Sequence, residues 1–247
     1  MSKRNLGSAT GLAFVVALVQ IVVIASFAVM LIGAPAFSCD CAVYKESIKK
    51  PDDIGAEQGL KYLKSPEYRK EFSKAIADAT DACKRYAKEN PDKSLAIVSD
   101  IDETVLDNSE HFGENHANFD WPTFKKYAEQ SKAPPLKRTA AFLKWARKQG
   151  IAIFLVTGRP EDMRRATVRN LINAGVSYDG LFLRPIQQYD ETGKHHPSAT
   201  EVKTKIRQQI EDMGFTIVVN IGDQVSDLVG GHAYDCEKLP NKLYFVK

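Results

Sequence analysis

The sequence has no internal repeat and no low-complexity tract, and it lacks the polar, proline-rich composition that keeps a chain unfolded. It also has little excess charge. The formal net charge is +3, but Lys3 and Arg4 stand ahead of an apolar leader, and without them 32 basic residues face 31 acidic ones. That near-neutral body argues against a dedicated partner for a nucleic-acid polymer. Cysteine is scarce: Cys39, Cys41, Cys83 and Cys236 are all there is, and none has histidine or cysteine neighbours at the spacing of a zinc site. Four cysteines allow three disulfide connectivities, and the sequence does not choose among them. What remains is a 247-residue chain, 44% hydrophobic and 26% charged, which suits one globular domain with an appendage.

The appendage is a long apolar run, Leu12 to Ile32, broken only by Gln20 and Ser26. A short basic stretch followed by an apolar one reads as an export signal. The run is longer than the ~7–15 residues of a signal-peptide core and close to the ~20 that span a bilayer, so a cleaved signal and a retained anchor both fit. Ala34-Pro35-Ala36 offers small residues for cleavage before Phe37, which makes 1–36 the leader. A retained anchor leaves Lys3 and Arg4 in the cytoplasm and attaches the protein to the membrane. Cys39 is close enough to the leader for lipidation, but Phe37 and Ser38 make a poor lipobox; Cys39 and Cys41 otherwise read as exposed thiols or a disulfide pair, since an exported compartment permits oxidation. The expected location is extracytoplasmic, in the periplasm or its equivalent.

Residues 37–64 carry Lys49-Lys50-Pro51-Asp52-Asp53 and little periodicity, and read as a linker or surface segment before a folded domain at 65–247. From Pro66 a helix is expected: Tyr68, Phe72, Ala75, Ile76, Ala79, Cys83, Tyr86 and Ala87 recur every three or four residues until Asn90-Pro91 stops the pattern. Short apolar runs then alternate with amphipathic ones, the mark of an α/β fold with a parallel sheet and helices on both faces. Strands are expected at 95–98, 151–156, 181–183 and 216–221, with 243–246 as an edge strand, and helices at 135–149, 160–174 and 199–213. The polar, aromatic stretch 108–132 reads as a small cap-like insertion over the carboxyl ends of the strands, where open α/β sheets bind ligands.

Those strand ends carry the chemistry. The first runs into Asp100-Ile101-Asp102-Glu103-Thr104, two carboxylates two residues apart. A solvated turn capped by aspartate and threonine has the same composition, so the pair alone is ambiguous. The second strand ends in Thr157-Gly158-Arg159-Pro160, where a hydroxyl and a glycine are expected to open a helix whose N-terminal amides favour an anion such as phosphate; Pro160 also fits the ordinary preference for the first helical position. The strand at 216–221 ends in Gly222-Asp223-Gln224-Val225-Ser226-Asp227, adding two more acids to the same edge. Four converging carboxylates repel unless a hard cation with oxygen ligands joins them, and Mg2+, which shares its coordination with phosphate, is the natural candidate. Lys203 stands near the start of the helix at 199–213; a charge run there is often only a wet face, and its other reading is a phosphate ligand.

With these residues in order, the chain resembles the haloacid dehalogenase (HAD) superfamily, whose four motifs match Asp100 to Thr104, Thr157, Lys203 and Gly222 to Asp227. More narrowly, SDIDETVLDNS at 99–109, the Lys203-Thr204-x-x-Arg207 spacing and the Gly222-Asp223-Gln224 string are similar to subfamily IIIB (class B) acid phosphatases, a group that includes bacterial outer-membrane lipoprotein e nucleotidases and plant vegetative storage proteins. The similarity spans roughly 57–247. It implies a HAD-like Rossmannoid sheet and a Mg2+-dependent phosphatase acting on small phosphate monoesters. Asp100 is implied as nucleophile and Asp102 as general acid/base. Asp100, Asp223 and the Asp102 carbonyl are implied as metal ligands with Asp227 in support, and Thr157, Gly158 and Lys203 as phosphate contacts. Two departures stand out: Thr157-Gly158-Arg159 replaces the Ser-Asn-Arg usual in the lipoprotein relatives, and the lipobox is weak. Some plant relatives lack the nucleophile, which Asp100 supplies here. Phe119, Trp121 and Phe124, with His111, His116 and Tyr189, are candidates to stack a nucleobase, against the alternative that they pack the insertion onto the domain; His195 and His196 read as surface residues.

Overall fold

The computed structural model describes residues 55–115, 119–185 and 197–245. The chain divides into two units, Met1–Ala36 and Phe37–Lys247, and every described residue belongs to the second. The apolar run 12–32, Cys39, Cys41, His116, Tyr189, His195 and His196 therefore lie outside the described residues. Among the described residues no helix is long and apolar enough to cross a membrane.

Five strands make one sheet: β1 (Leu95–Ser99), β2 (Ala152–Pro160), β3 (Gly180–Arg184), β4 (Thr216–Gly222) and β5 (Asp235–Lys238), in the order β3-β2-β1-β4-β5 with every pairing parallel. The helices are α1 (Gly55–Leu63), α2 (Pro66–Glu89), α3 (Ser109–Glu114), α4 (Trp121–Glu129), α5 (Lys137–Lys148), α6 (Arg164–Asn173), α7 (Ala199–Asp212) and the single turn α8 (Val225–Leu228). β1 is buried at all five positions, as a central strand covered on both faces must be. Its side chains divide by the period of two. Leu95 and Ile97 join Phe72, Ala79 and Cys83 of α2 and Phe142, Leu143 and Ala146 of α5, whereas Ala96 and Val98 join Ile206 and Ile210 of α7. Each fully buried leucine, isoleucine, valine or phenylalanine among them stabilises the fold by about 1.5–3 kcal/mol. Cys83 is a free thiol, and Cys236 lies in the opposite cluster with its Sγ 3.7 Å from the Leu228 carbonyl, so the two do not pair.

The strand order reverses between β1 and β4, the switch point at which such sheets open a crevice at their carboxyl edge. The expected helix from Pro66 is present, capped by Ser65, whose Oγ accepts from the Tyr68 amide at 3.0 Å. Three expectations are corrected. The span 37–64 holds a helix, α1, which two glycines disguise and which tertiary contacts hold: Tyr62 OH donates to Glu71, and Tyr62 packs edge-on against Tyr68 at 5.5 Å. The edge strand is Asp235–Lys238, and the described part of the span expected there, 243–245, forms no strand; facing the core on one side only, Asp235–Lys238 buries Cys236 alone and offers no apolar run to read. The helix expected from Pro160 begins at Arg164. Pro160 is extended (φ −73°, ψ 160°) and closes β2 opposite Arg184, and a 3-10 turn at Glu161–Met163 intervenes.

Candidate active site

The chain leaves β1 in a tight turn. The Asp100 amide donates to Ile221 O at 3.0 Å, which carries the β1–β4 ladder one residue past the strand. Ile101 O then accepts from the amides of Val105 and Leu106, both at 2.8 Å. Closing this turn puts Glu103 at φ +55°, a left-handed backbone that costs a non-glycine residue about 1–2 kcal/mol. Its surroundings fix it: the Glu103 carboxylate accepts from the Asn108 side chain at 2.8 Å and from Tyr244 OH. Burial, then Asp102 and Asp223, push the Glu103 carboxyl well above its ordinary range.

On the other side of the switch point, β4 ends at Gly222, where any Cβ would stand 2.3 Å from Asp227 Oδ2. Asp227 folds back over that glycine and caps α8, accepting from the Gln224 amide at 2.8 Å. Lys203 comes from the first turns of α7, whose start is fixed by the reciprocal Ser198 and Glu201 capping pair. It is buried rather than on a wet face, and its Nζ donates to Asp100 Oδ1 and Asp227 Oδ1, both at 2.6 Å. Arg207, one turn on, donates to the Asp227 carbonyl at 2.7 Å and locks α8 against α7.

Asp100, Asp223 and Asp227 thus meet, each offering a carboxylate oxygen within 4.8 Å of the others. Burial raises Asp100 well above the carboxylate range; Lys203 opposes the shift, and Asp227, Asp223 and Asp102 reinforce it. Burial and Asp227 push Asp223 up to about 6 against the amides of Asn241 and Gln224. Burial disfavours the Lys203 ammonium, yet Asp100 and Asp227 outweigh it and hold Lys203 above the ordinary lysine range. The three carboxyl groups form an all-oxygen donor set that suits a hard cation.

The Asp102 carboxylate is outside this group. Arg159, itself buried, grips it through Nε at 3.0 Å and Nη2 at 2.6 Å, and Asn108 Nδ2 adds a third bond at 3.0 Å. Arg159 in turn reaches Thr167 of α6 at 3.3 Å. Thr157 is buried at the end of β2 with its Oγ1 accepting from the Arg159 amide at 3.1 Å, and Gly158 is exposed. Asp100, Asp102, Gly158, Lys203, Asp223 and Asp227 line one pocket of about 190 Å3, walled by Phe119, Trp121, Phe124 and Tyr244. Phe119 and Trp121 are each about two-fifths exposed. His111 is instead sealed among Phe112, Phe124 and Tyr127, with ring centroids 5.1–5.5 Å away, and serves packing.

Several residues of this constellation carry no strong signal in the sequence. Arg159 follows a motif threonine and was visible as a neighbour only. Tyr244 and Asn241 are 141 and 18 residues from the groups they bond, Glu103 and Asp223, and nothing local announces them.

Residues 38–247 match the family described as HAD superfamily, subfamily IIIB (acid phosphatase). Acid phosphatase 1 of Solanum lycopersicum is 33% identical over 196 residues, covering 77% of this chain and 74% of the relative. The stem 28 kDa glycoprotein of Glycine max is 28% identical over 229 residues, 87% of each chain. The class C acid phosphatase from Bacillus anthracis superposes with a TM-score of 0.63 at 19% identity, covering 77% of this chain and 85% of that one, a likeness of fold. On the family match over most of its length, carried by motifs that the fold gathers at one switch point, the chain belongs to HAD subfamily IIIB, the acid phosphatases, which are phosphoric monoester hydrolases.

Proposed function

We propose that the protein is an exported, Mg2+-dependent acid phosphatase that acts through an aspartyl-phosphate on Asp100. The observation that carries this reading is the buried trio Asp100, Asp223 and Asp227, with Lys203 between two of them. Asp100 and Asp223, the Asp102 carbonyl and, in support, Asp227 would hold the ion. Bound there, it supplies positive charge that keeps Asp100 ionised and offsets charge on the phosphoryl oxygens.

Lys203 shares that second task, with Thr157 and Gly158 at the neighbouring strand end as the remaining phosphate contacts. An oxygen of Asp100 attacks phosphorus in line, forming an acyl phosphate as the bond to the leaving oxygen breaks. Asp102 gives its proton to that oxygen, and then accepts one from the water that cleaves the acyl phosphate. Arg159 and Asn108 keep the Asp102 carboxylate in the pocket for both transfers. The exposed faces of Phe119 and Trp121 beside the pocket support an aromatic leaving group, a nucleoside monophosphate among them, by base stacking. Tyr189, the third candidate for that wall, lies outside the described residues. Residues 12–32 would direct export and, if retained, attach the enzyme to the membrane.

The test is hydrolysis of an aryl phosphate, sugar phosphates and nucleoside monophosphates by the full-length chain, with Mg2+ and with chelator. Turnover is expected with Mg2+, lost with chelator, and absent in a folded Asp100→Asn variant. Mg2+-dependent turnover persisting in that variant refutes the nucleophile. No turnover on any substrate points to an inactive storage or binding protein on the same fold.

A further inference from the structure

The chain from Lys238, the last residue of β5, to Phe245 is fixed at both sides. On the inner side, the Leu239 amide donates to Gly222 O at 2.8 Å, and Lys238 Nζ donates to the Asp223 carbonyl at 2.6 Å. Tyr244 OH donates to Glu103, and the Tyr244 ring stacks on Phe112 at 5.1 Å. On the outer side, Lys242 lies 3.9 Å over the Tyr62 ring of α1 and 3.7 Å from Glu67 of α2. Between these anchors stands Asn241, buried, with its Nδ2 donating to Asp223 Oδ2 at 2.6 Å. The other half of its amide is spoken for, because Oδ1 accepts from the Leu243 amide at 2.7 Å. That second bond fixes which way the amide faces: only its NH2 group can point at Asp223.

Asp223 therefore has its two oxygens treated differently. Oδ2 receives Asn241 and, at 2.5 Å, the Gln224 side chain; among the described residues, Oδ1 receives only the Thr104 hydroxyl, at 3.3 Å. A carboxylate with one oxygen held by two amides is fixed in rotation and keeps lone pairs of the other for a cation.

We infer that Asn241 is a positioning residue that sets the protein's affinity for its divalent cation by orienting Asp223 from outside the ligand set. This rests on the metal reading above. Outer partners of ligating groups typically govern about 10–100-fold in metal affinity. Asn241→Ala is expected to weaken Mg2+ binding to the full-length protein by about that factor, read by titration calorimetry and by the shift in melting temperature with Mg2+ concentration. At saturating Mg2+, kcat is expected to return to within a few-fold of the parent, since Asn241 touches neither nucleophile nor acid. Lys242→Ala, which loosens the same segment without touching Asp223, is expected to lower the melting temperature and leave the Mg2+ affinity unchanged. Asn241→Leu keeps the bulk without the donor and is expected to match Asn241→Ala.

Unchanged Mg2+ affinity in both Asn241 variants overturns the inference, and so does an equal loss in Lys242→Ala, which makes the effect one of general loosening. Failure of both Asn241 variants to fold also overturns it, for Asn241 is then a folding determinant. A parent protein that binds no Mg2+ instead removes the metal reading beneath it.

Discussion

At the scale of single residues, the pair Arg159 and Asp102 is the most consequential interaction away from the acidic trio. The guanidinium is about 1% exposed and the carboxylate about 15%. Removing one partner leaves the other charge without compensation, which costs about 3 kcal/mol in a buried pair and lowers the melting temperature of a domain this size by roughly 10 °C. Arg159→Met is expected to show that loss in thermal melts. Pairing it with Asp102→Asn removes the stranded charge and is expected to recover part of it; a double variant no more stable than the single one would take the ion pair out of the account. Residue type alone pointed to Asp100, Asp102 and Asp223, because acids at strand ends have few structural uses in such numbers. It was silent on Arg159, since an arginine after a turn is usually solvated, and only the geometry shows that this one is interior.

At the scale of elements, what the sequence reveals depends on how much apolar surface an element buries. β1, β2 and β4, covered on both faces, stand out as apolar runs, and α2 stands out by its spacing over 24 residues. α1 and β5 are illegible because long-range contacts hold them rather than their own composition, and the apolar stretch from Leu243 misleads because Tyr244 turns to Glu103 and the pocket wall instead of extending the sheet. α1 shows the point in one position. A Cβ at Gly59 would stand 2.8 Å from the Lys242 carbonyl oxygen. Replacing a helical glycine by alanine ordinarily gains up to about 1 kcal/mol. Here the facing atom is backbone, tethered by the contacts of Asn241 and Lys242, so the clash, worth about 1–3 kcal/mol, outweighs the gain. Gly59→Ala is expected to destabilise the protein and to speed proteolytic cleavage within α1; a rise in melting temperature would mean that the segment yields.

For the whole molecule, the buried acids make stability depend on pH and, under the proposed function, on a bound cation as well. An unfolded aspartate ionises near pH 4, whereas Asp223 in the fold holds its proton to about 6, and Asp100 is raised as well. A carboxyl raised by folding stabilises the protein below the unfolded value, and that contribution is lost as pH climbs through the folded one. With chelator present, the melting temperature is therefore expected to fall between about pH 4.5 and 7. Mg2+ is expected to restore the loss at pH 7 and to do little at pH 4.5, where protons compete for the same oxygens. A chelated protein equally stable across that range would contradict the burial of ionisable acid at the site.

Gly158 has a different bearing. It sits where β2 slips out of register with β3, at the rim of the pocket, and a Cβ built there meets no atom within 4 Å. Its φ is not one that demands glycine. The first side-chain atom of any larger residue would thus enter open space. A larger side chain at this rim would meet an incoming substrate before it met the rest of the fold.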